Sequence, residues 1–471
     1  MSLDDKYRYM TETPVRRLVL RLAVPTVVSM VVTALYNVVD AAFVGHLSTE
    51  ATAGIGIAFA YMTFIQAMGF FFGHGSGNYI SRALGAKQYD NAGRMAAVGF
   101  FSAFIVGLVA SVPSLLCLRQ LAELLGAPAD VVDETCNYLR YIVLATPFMM
   151  SAFTLNNQLR LQGNARFAMT GIAVGALLNI ALDPLFIFTF GWGVAGASAA
   201  TAVSQLVSWS ILLWGTTRAD SVHIEFRNFR PSLWYYNEIL HGGLPSLGRQ
   251  FFNFFAALTL NYAAARYAEP GFEASSVGAF AIVTRTMMFA FSVVLGFDQG
   301  FQPVAGFNYG AGKYRRVRDA YVFAIQVTTV LLIVVSAFGL VFAPDVIRLF
   351  RSEDPVLVTI GARALRWQCV AFPLMGLATA TNMLFQNIRM TFKSTLLSIG
   401  RQGIFFLPAI FVLPRLYGIH GVEMAQAVAD ICTFLLSLPY AIWIYRKLSC
   451  MEARTAVLST NDGEERPLDF Q

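Results

Sequence analysis

Three carboxylates sit inside apolar sequence: Asp40 within residues 38–44, Asp183 in Asn179-Ile-Ala-Leu-Asp183-Pro184, and Asp298 in Gly296-Phe-Asp-Gln. If these stretches are helical, Tyr36, Asn37 and Asp40 share one face, being four and three residues apart, and Asn179 and Asp183 share another. Two faces, each with a carboxylate and a neutral amide, can converge on one cation. Oxygen ligands of this kind suit a hard monovalent ion or a proton. The alternative is structural: Asp40 as an interfacial residue near a helix end, Asp183 as a cap before Pro184. Neither HExxH nor GxSxG occurs, and no HxxxxD lies at an interface, so a membrane enzyme is a poor reading. Five cysteines, an odd number with no CxxC, exclude a disulfide framework and a zinc site and are read as packing residues. No cofactor is implied.

His74, in Phe-Phe-Gly-His-Gly-Ser-Gly, could titrate, but a hydrogen bond between helices is the stronger expectation. Gly69, Gly73 and Gly77 make a small-residue face for close helix packing. Six arginines fall within apolar stretches: Arg140, Arg249, Arg285, Arg363, Arg366 and Arg401. Arginines facing a cavity would favour an anionic ligand, whereas the acids would favour a cationic one.

The elements that position these residues follow from composition. Of 471 residues, 56% are apolar and 13% charged, against about 25% charged in soluble domains. The mean hydropathy is +0.57. The apolar runs lack strand alternation, so a bilayer is the solvent for most of the surface. A charge at its centre costs about 2.5 to 3.5 kcal/mol on insertion scales, which is why the embedded acids matter. The first thirteen residues are polar and no cleavage site follows, so no signal peptide is expected.

Twelve spans are predicted, at 15–43, 52–80, 95–117, 132–158, 167–188 and 192–214, then 240–265, 276–303, 319–343, 356–388, 394–414 and 419–445. With the N-terminus inside, and Arg16, Arg17 and Arg21 at the start of the first span counted with it, the inner segments carry 23 of the 34 Lys and Arg and the outer loops 5, which orients both termini to the cytoplasm. The net charge of +6 is thereby explained without a nucleic-acid partner.

The halves repeat. Gly85-Ala86-Lys87-Gln88-Tyr89 matches Gly310-Ala311-Gly312-Lys313-Tyr314 at an offset of 225, as Phe72 and Gly75 match Phe297 and Gly300, and Gly193 and Gly196 match Gly418 and Gly421. His74 then faces Gln299, and Asp298 faces Gly73. At an offset of 226, Arg140, Pro147 and Asn156 match Arg366, Pro373 and Asn382. The expected fold is an all-α polytopic membrane protein: twelve transmembrane helices in two six-helix lobes related by a pseudo-two-fold along the membrane normal. The N-terminal lobe covers 1–214, a cytoplasmic linker 215–238, the C-terminal lobe 239–446 and a tail 447–471.

Asn37-Val-Val-Asp40-Ala-Ala-Phe-Val-Gly45, the run from Gly75-Ser-Gly77 to Arg82-Ala-Leu-Gly-Ala86, Leu161-Gln-Gly-Asn164, Asn179 to Pro184, Gly193-Val-Ala-Gly196 and Gly300-Phe-Gln-Pro303 resemble the multidrug and toxic compound extrusion (MATE) family. The likeness covers about residues 12–446 and is nearest the bacterial DinF-like and MepA-like branch. It implies a two-lobed exporter that exchanges lipophilic, usually cationic compounds for protons or sodium ions. Matched residue by residue, Asp40, Asn179, Asp183 and Thr201 fall on the family's ion-coupling positions. Tyr36, Asn37, His74, Asn156, Arg285 and Asp298 are candidates for the substrate cavity. The partners implied are small molecules and the bilayer, with a monomer in the bacterial inner membrane. A flippase or exporter of anionic or lipid-linked substrates is the rival reading. A channel is disfavoured, because acids confined to one half suit an ion-driven switch better than a symmetric pore.

Overall fold

The computed structural model describes residues 2–45, 49–218, 220–351 and 354–461. All regular structure among them is helical. A short α1 (Leu3–Glu12) precedes α2 (Val15–Gly45), α3 (Thr49–Gly85), α4 (Tyr89–Leu116), a short α5 (Leu118–Leu124), α6 (Val132–Leu161), α7 (Ala165–Pro184) and α8 (Gly193–Gly215). After the linker come α9 (Leu233–Arg266), α10 (Glu273–Gly310), α11 (Tyr314–Phe350), α12 (Pro355–Ala371), α13 (Met375–Asn387), α14 (Thr391–Ile399), α15 (Leu407–Tyr417) and α16 (Ile419–Asn461).

Among the described residues, eleven helical stretches are long and apolar enough to cross a bilayer, with α12–α13 and α14–α15 each counting as one. The twelfth span is α9. Its 34 residues are ample for a hydrocarbon core of about 30 Å, but Arg249, Gln250, Asn253 and Asn261 lower its hydropathy.

The chain forms two compact units, residues 1–13 with 24–247 and residues 14–23 with 248–471. Each unit therefore takes in the start of a helix that continues in the other. The repeated glycines show why. A Cβ on Gly75 would lie 2.4 Å from the Ile239 carbonyl oxygen of α9, and one on Gly300 would lie 2.3 Å from Ala23 Cα of α2. Only a bare backbone admits such contact.

The tight turns repeat as well. Lys87 and Gly312 are equivalent positions with φ of 57° and 69°. In each turn the following residue donates back to the carbonyl five before it, Gln88 to Ala83 and Lys313 to Asn308, both at 2.8 Å. These are Schellman-type helix ends. The fifth helix of each half carries a π-helical segment, Leu185–Thr189 and Gly400–Phe406. The predicted span at 356–388 is broken by a 3₁₀ turn at Phe372–Leu374, where Pro373 lacks the N–H needed to continue an α-helix.

Helix α1 was not foreseen from the polar N-terminus. A capping box starts it, with the Ser2 side chain accepting from the Asp5 N–H and Asp5 accepting from the Ser2 N–H. Its Lys6 is buried, donating to Asn164 Oδ1 at 2.7 Å and to the Asp220 carbonyl, so α1 is fastened to the linker.

Candidate functional site

Asn179 and Asp183 lie one turn apart on α7, and Thr201 lies on the facing side of α8. The Asn179 amide donates to Asp183 Oδ1 at 3.2 Å and to Thr201 Oγ1 at 3.3 Å. All three side chains are at most 2% exposed. Thr201 directs its own proton to the Ala197 carbonyl at 3.1 Å, and the Asn179 carbonyl oxygen has no hydrogen-bond partner among the described residues. That buried carbonyl oxygen beside a carboxylate could be met by an added proton or small cation. The local fold places the carboxylate: Asp183 precedes Pro184, where α7 passes into its π segment, and such segments often mark functional positions.

The structure brings Asn179, Asp183 and Thr201 together. Asp40 and Asn37 lie on α2, and their side chains fall outside the described residues. Tyr36 is half-buried on the same helix.

His74 is buried between helices. Its Nε2 is 3.3 Å from Arg160 Nη2 and its Nδ1 is 3.2 Å from Ser246 Oγ. It ties α3 to α6 and α9, the structural role expected of it. The Asn156 amide donates to the Ala168 carbonyl at 3.0 Å, joining α6 to α7. Arg285 is exposed on α10, and Asp298 is fully buried on the same helix.

A family model described as MatE matches residues 25–185 and 245–412, well over half of the chain. The chain belongs to the MatE family. It is 25% identical over 435 residues to the multidrug export protein MepA of Staphylococcus haemolyticus, covering 92% of this chain and 94% of that one. A solved outward-facing multidrug resistance MATE transporter of the MOP superfamily superposes with a TM-score of 0.87 at 27% identity, covering 94% and 98% of the two chains. A Pyrococcus furiosus MOP-superfamily transporter, described as having a binding pocket of reversed polarity, gives 0.85 at 28% identity, covering 95% and 98%.

This MatE chain also buries acids other than the three singled out by their apolar sequence surroundings. Asp430, 1% exposed on α16, accepts from Arg401 Nε at 2.8 Å and Nη2 at 3.3 Å, and from Gln426 at 2.8 Å. Glu423, also 1% exposed, accepts from Arg363 Nε at 3.1 Å and contacts His420 Nδ1 at 3.1 Å. Glu238 of α9 pairs with Arg82 at 3.2 Å. Two of the arginines that could have faced an anion are thereby neutralised within this MatE fold, and Arg366 donates to the Leu340 carbonyl at 3.3 Å. Gln426 is the repeat counterpart of Thr201 at the offset of 225, so equivalent places between the fifth and sixth helices are both polar. In one a carboxylate stands with an amide and a hydroxyl; in the other a guanidinium is built in beside the carboxylate.

Proposed function

We propose that this chain is a secondary active multidrug exporter that expels lipophilic, cationic compounds in exchange for protons or sodium ions by alternating access. One observation carries the reading: Asn179, Asp183 and Thr201 bring an amide, a carboxylate and a hydroxyl together in one buried cluster, with the Asn179 carbonyl oxygen left without a partner among the described residues, and oxygen ligands of this kind suit a proton or small cation. Membership of the MatE family and the likeness to staphylococcal multidrug export proteins support it. Asp40 completes the site from α2 in this reading. In this proposal the chain acts as a monomer in the bacterial inner membrane, and the excess of Lys and Arg on one set of loops supports cytoplasmic termini. The lobes are those of the sequence repeat, residues 1–214 and 239–446, joined by the linker 215–238 and followed by the tail.

Coupling requires that ion and drug disfavour one another's binding, because a ligand shifts a two-state equilibrium only through its differential affinity for the states. Neutralising Asp183 removes attraction for a cationic drug and lets α2 and α7 draw together. Ethidium efflux from cells, with pH and sodium varied separately, tests this. Loss of efflux in Asp40→Asn and Asp183→Asn with normal expression supports it, and unchanged efflux in both contradicts it.

A second reading, export of an anionic or lipid-linked compound, is favoured by Arg249 and Arg285, which make no ion pair among the described residues. Efflux of an anionic dye that fails in Arg249→Gln, with no ethidium efflux, would select it.

A further inference from the structure

Asp298 is fully buried on α10, and neither carboxyl oxygen has a hydrogen-bond partner that meets ordinary geometry among the described residues. The nearby hydroxyls cannot supply one. Thr379, on the packed helix α13, directs its hydroxyl proton along its own helix, to the Met375 carbonyl at 3.0 Å or the Gly376 carbonyl at 3.4 Å. Tyr321 of α11 lies 2.6 Å from Thr381 Oγ1, and Thr381 donates to the Leu377 carbonyl at 2.6 Å, so the Tyr321 proton is committed to Thr381. Helix α13 carries no ionisable residue. On α11, Tyr321 is the titratable group facing the acid, while Arg318 is engaged by Glu452 at 2.8 Å. An ionised carboxylate left in this setting would forfeit its hydration with nothing in return.

The repeat shows that the fold does not need an acid there. The counterpart of Asp298 is Gly73, whose Cβ would meet Asn157 Cβ at 3.0 Å and the Phe153 carbonyl oxygen at 3.2 Å. One half closes this helix contact with no side chain at all. The other opens it for a carboxyl group.

We propose that Asp298 is a proton-binding site within the second unit, its carboxyl group neutral. This claim about the resting protein stands apart from the exporter reading. Only a further step, loss and recovery of that proton during each cycle, rests on it.

Infrared spectroscopy of the purified full-length chain, in water and in heavy water, tests the site. A protonated-carboxyl C=O component that shifts in heavy water should be present in the unmutated protein and in Asp183→Asn, and that component should be absent when Asp298→Asn is added to either. Asp298→Gly, which copies the other half, guards against misfolding and should lack the band too. Spectra in which Asp298→Asn and Asp298→Gly retain the band overturn the proposal, as does a band lost in Asp183→Asn alone or abolished by sodium at constant pH. In proteoliposomes, protons moved per ethidium should fall in Asp298→Asn. If the unmutated protein moves no ethidium, the exporter reading fails while the infrared result still decides the site.

Discussion

Arg160 Nη2 lies 3.3 Å from Nε2 of His74. A guanidinium has no lone pair to offer, so Nε2 must accept, the imidazole is neutral, and its Nδ1–H donates to Ser246 Oγ. Arg160, 1% exposed, also donates to Asn157 Oδ1 at 2.7 Å. Replacing His74 with Phe removes an acceptor from a buried cation and should cost about 1.5 to 3 kcal/mol. His74→Gln, whose carbonyl oxygen can accept, should recover part of that in thermal unfolding of detergent-solubilised protein.

The paired acid on α16 leads to an asymmetric expectation. Asp430 is almost wholly enclosed, whereas the Arg401 side chain keeps 21% of its exposure and also lies 4.7 Å over the Phe291 ring. Arg401→Leu leaves a buried carboxylate alone and should cost about 3 to 5 kcal/mol. Asp430→Asn should cost less, since Arg401 can reach solvent. The double variant should lie closer to the unmutated protein than Arg401→Leu does, measured by the same unfolding assay.

The Asn179 and Asp183 pair was legible from four-residue spacing, because a single helix fixes it. Arg401 and Asp430 are 29 residues apart on different helices, and no local periodicity announces their pairing. The signal that existed was Gln426 four residues before Asp430. Helix α1 hid behind a polar composition, though Ser2 and Asp5 have capping spacing. Span α9 was found from its apolar runs even though its polar residues keep it below the hydropathy of the others. The glycine matches between halves were visible as letters, but that Gly75 and Gly300 admit the starts of α9 and α2 depends on packing.

The repeated turns predict opposite responses. Gly312 has a φ of 69° and nothing within 4 Å of where a Cβ would stand, so Gly312→Lys should cost about 1 to 2 kcal/mol from backbone strain alone. Lys87→Gly should relieve the same strain, less the loss of the Lys87 ammonium 4.6 Å over the Tyr7 ring. Unfolding midpoints of the two variants should move in opposite directions.

Burial pushes the Lys6 ammonium down to about 8 from its ordinary 10.5, only partly offset by Asp220. Between those values the unfolded chain binds the proton that the folded chain has released, so docking of α1 should tighten as pH rises from about 8 to 10.5. The gain should be on the order of 3 kcal/mol at most. Hydrogen exchange of α1 amides, corrected for intrinsic rates, should slow over that interval, and Lys6→Met should abolish the pH dependence.

The central claim, that the Asn179, Asp183 and Thr201 cluster couples ion to drug, is tested most directly by equilibrium binding of ethidium to the purified protein while pH and sodium are varied one at a time. Ethidium affinity should fall about 5- to 150-fold as the coupling ion saturates the site, the range of typical coupling energies. In Asp183→Asn that dependence should flatten. Affinity in the unmutated protein that is indifferent to both pH and sodium would contradict the account.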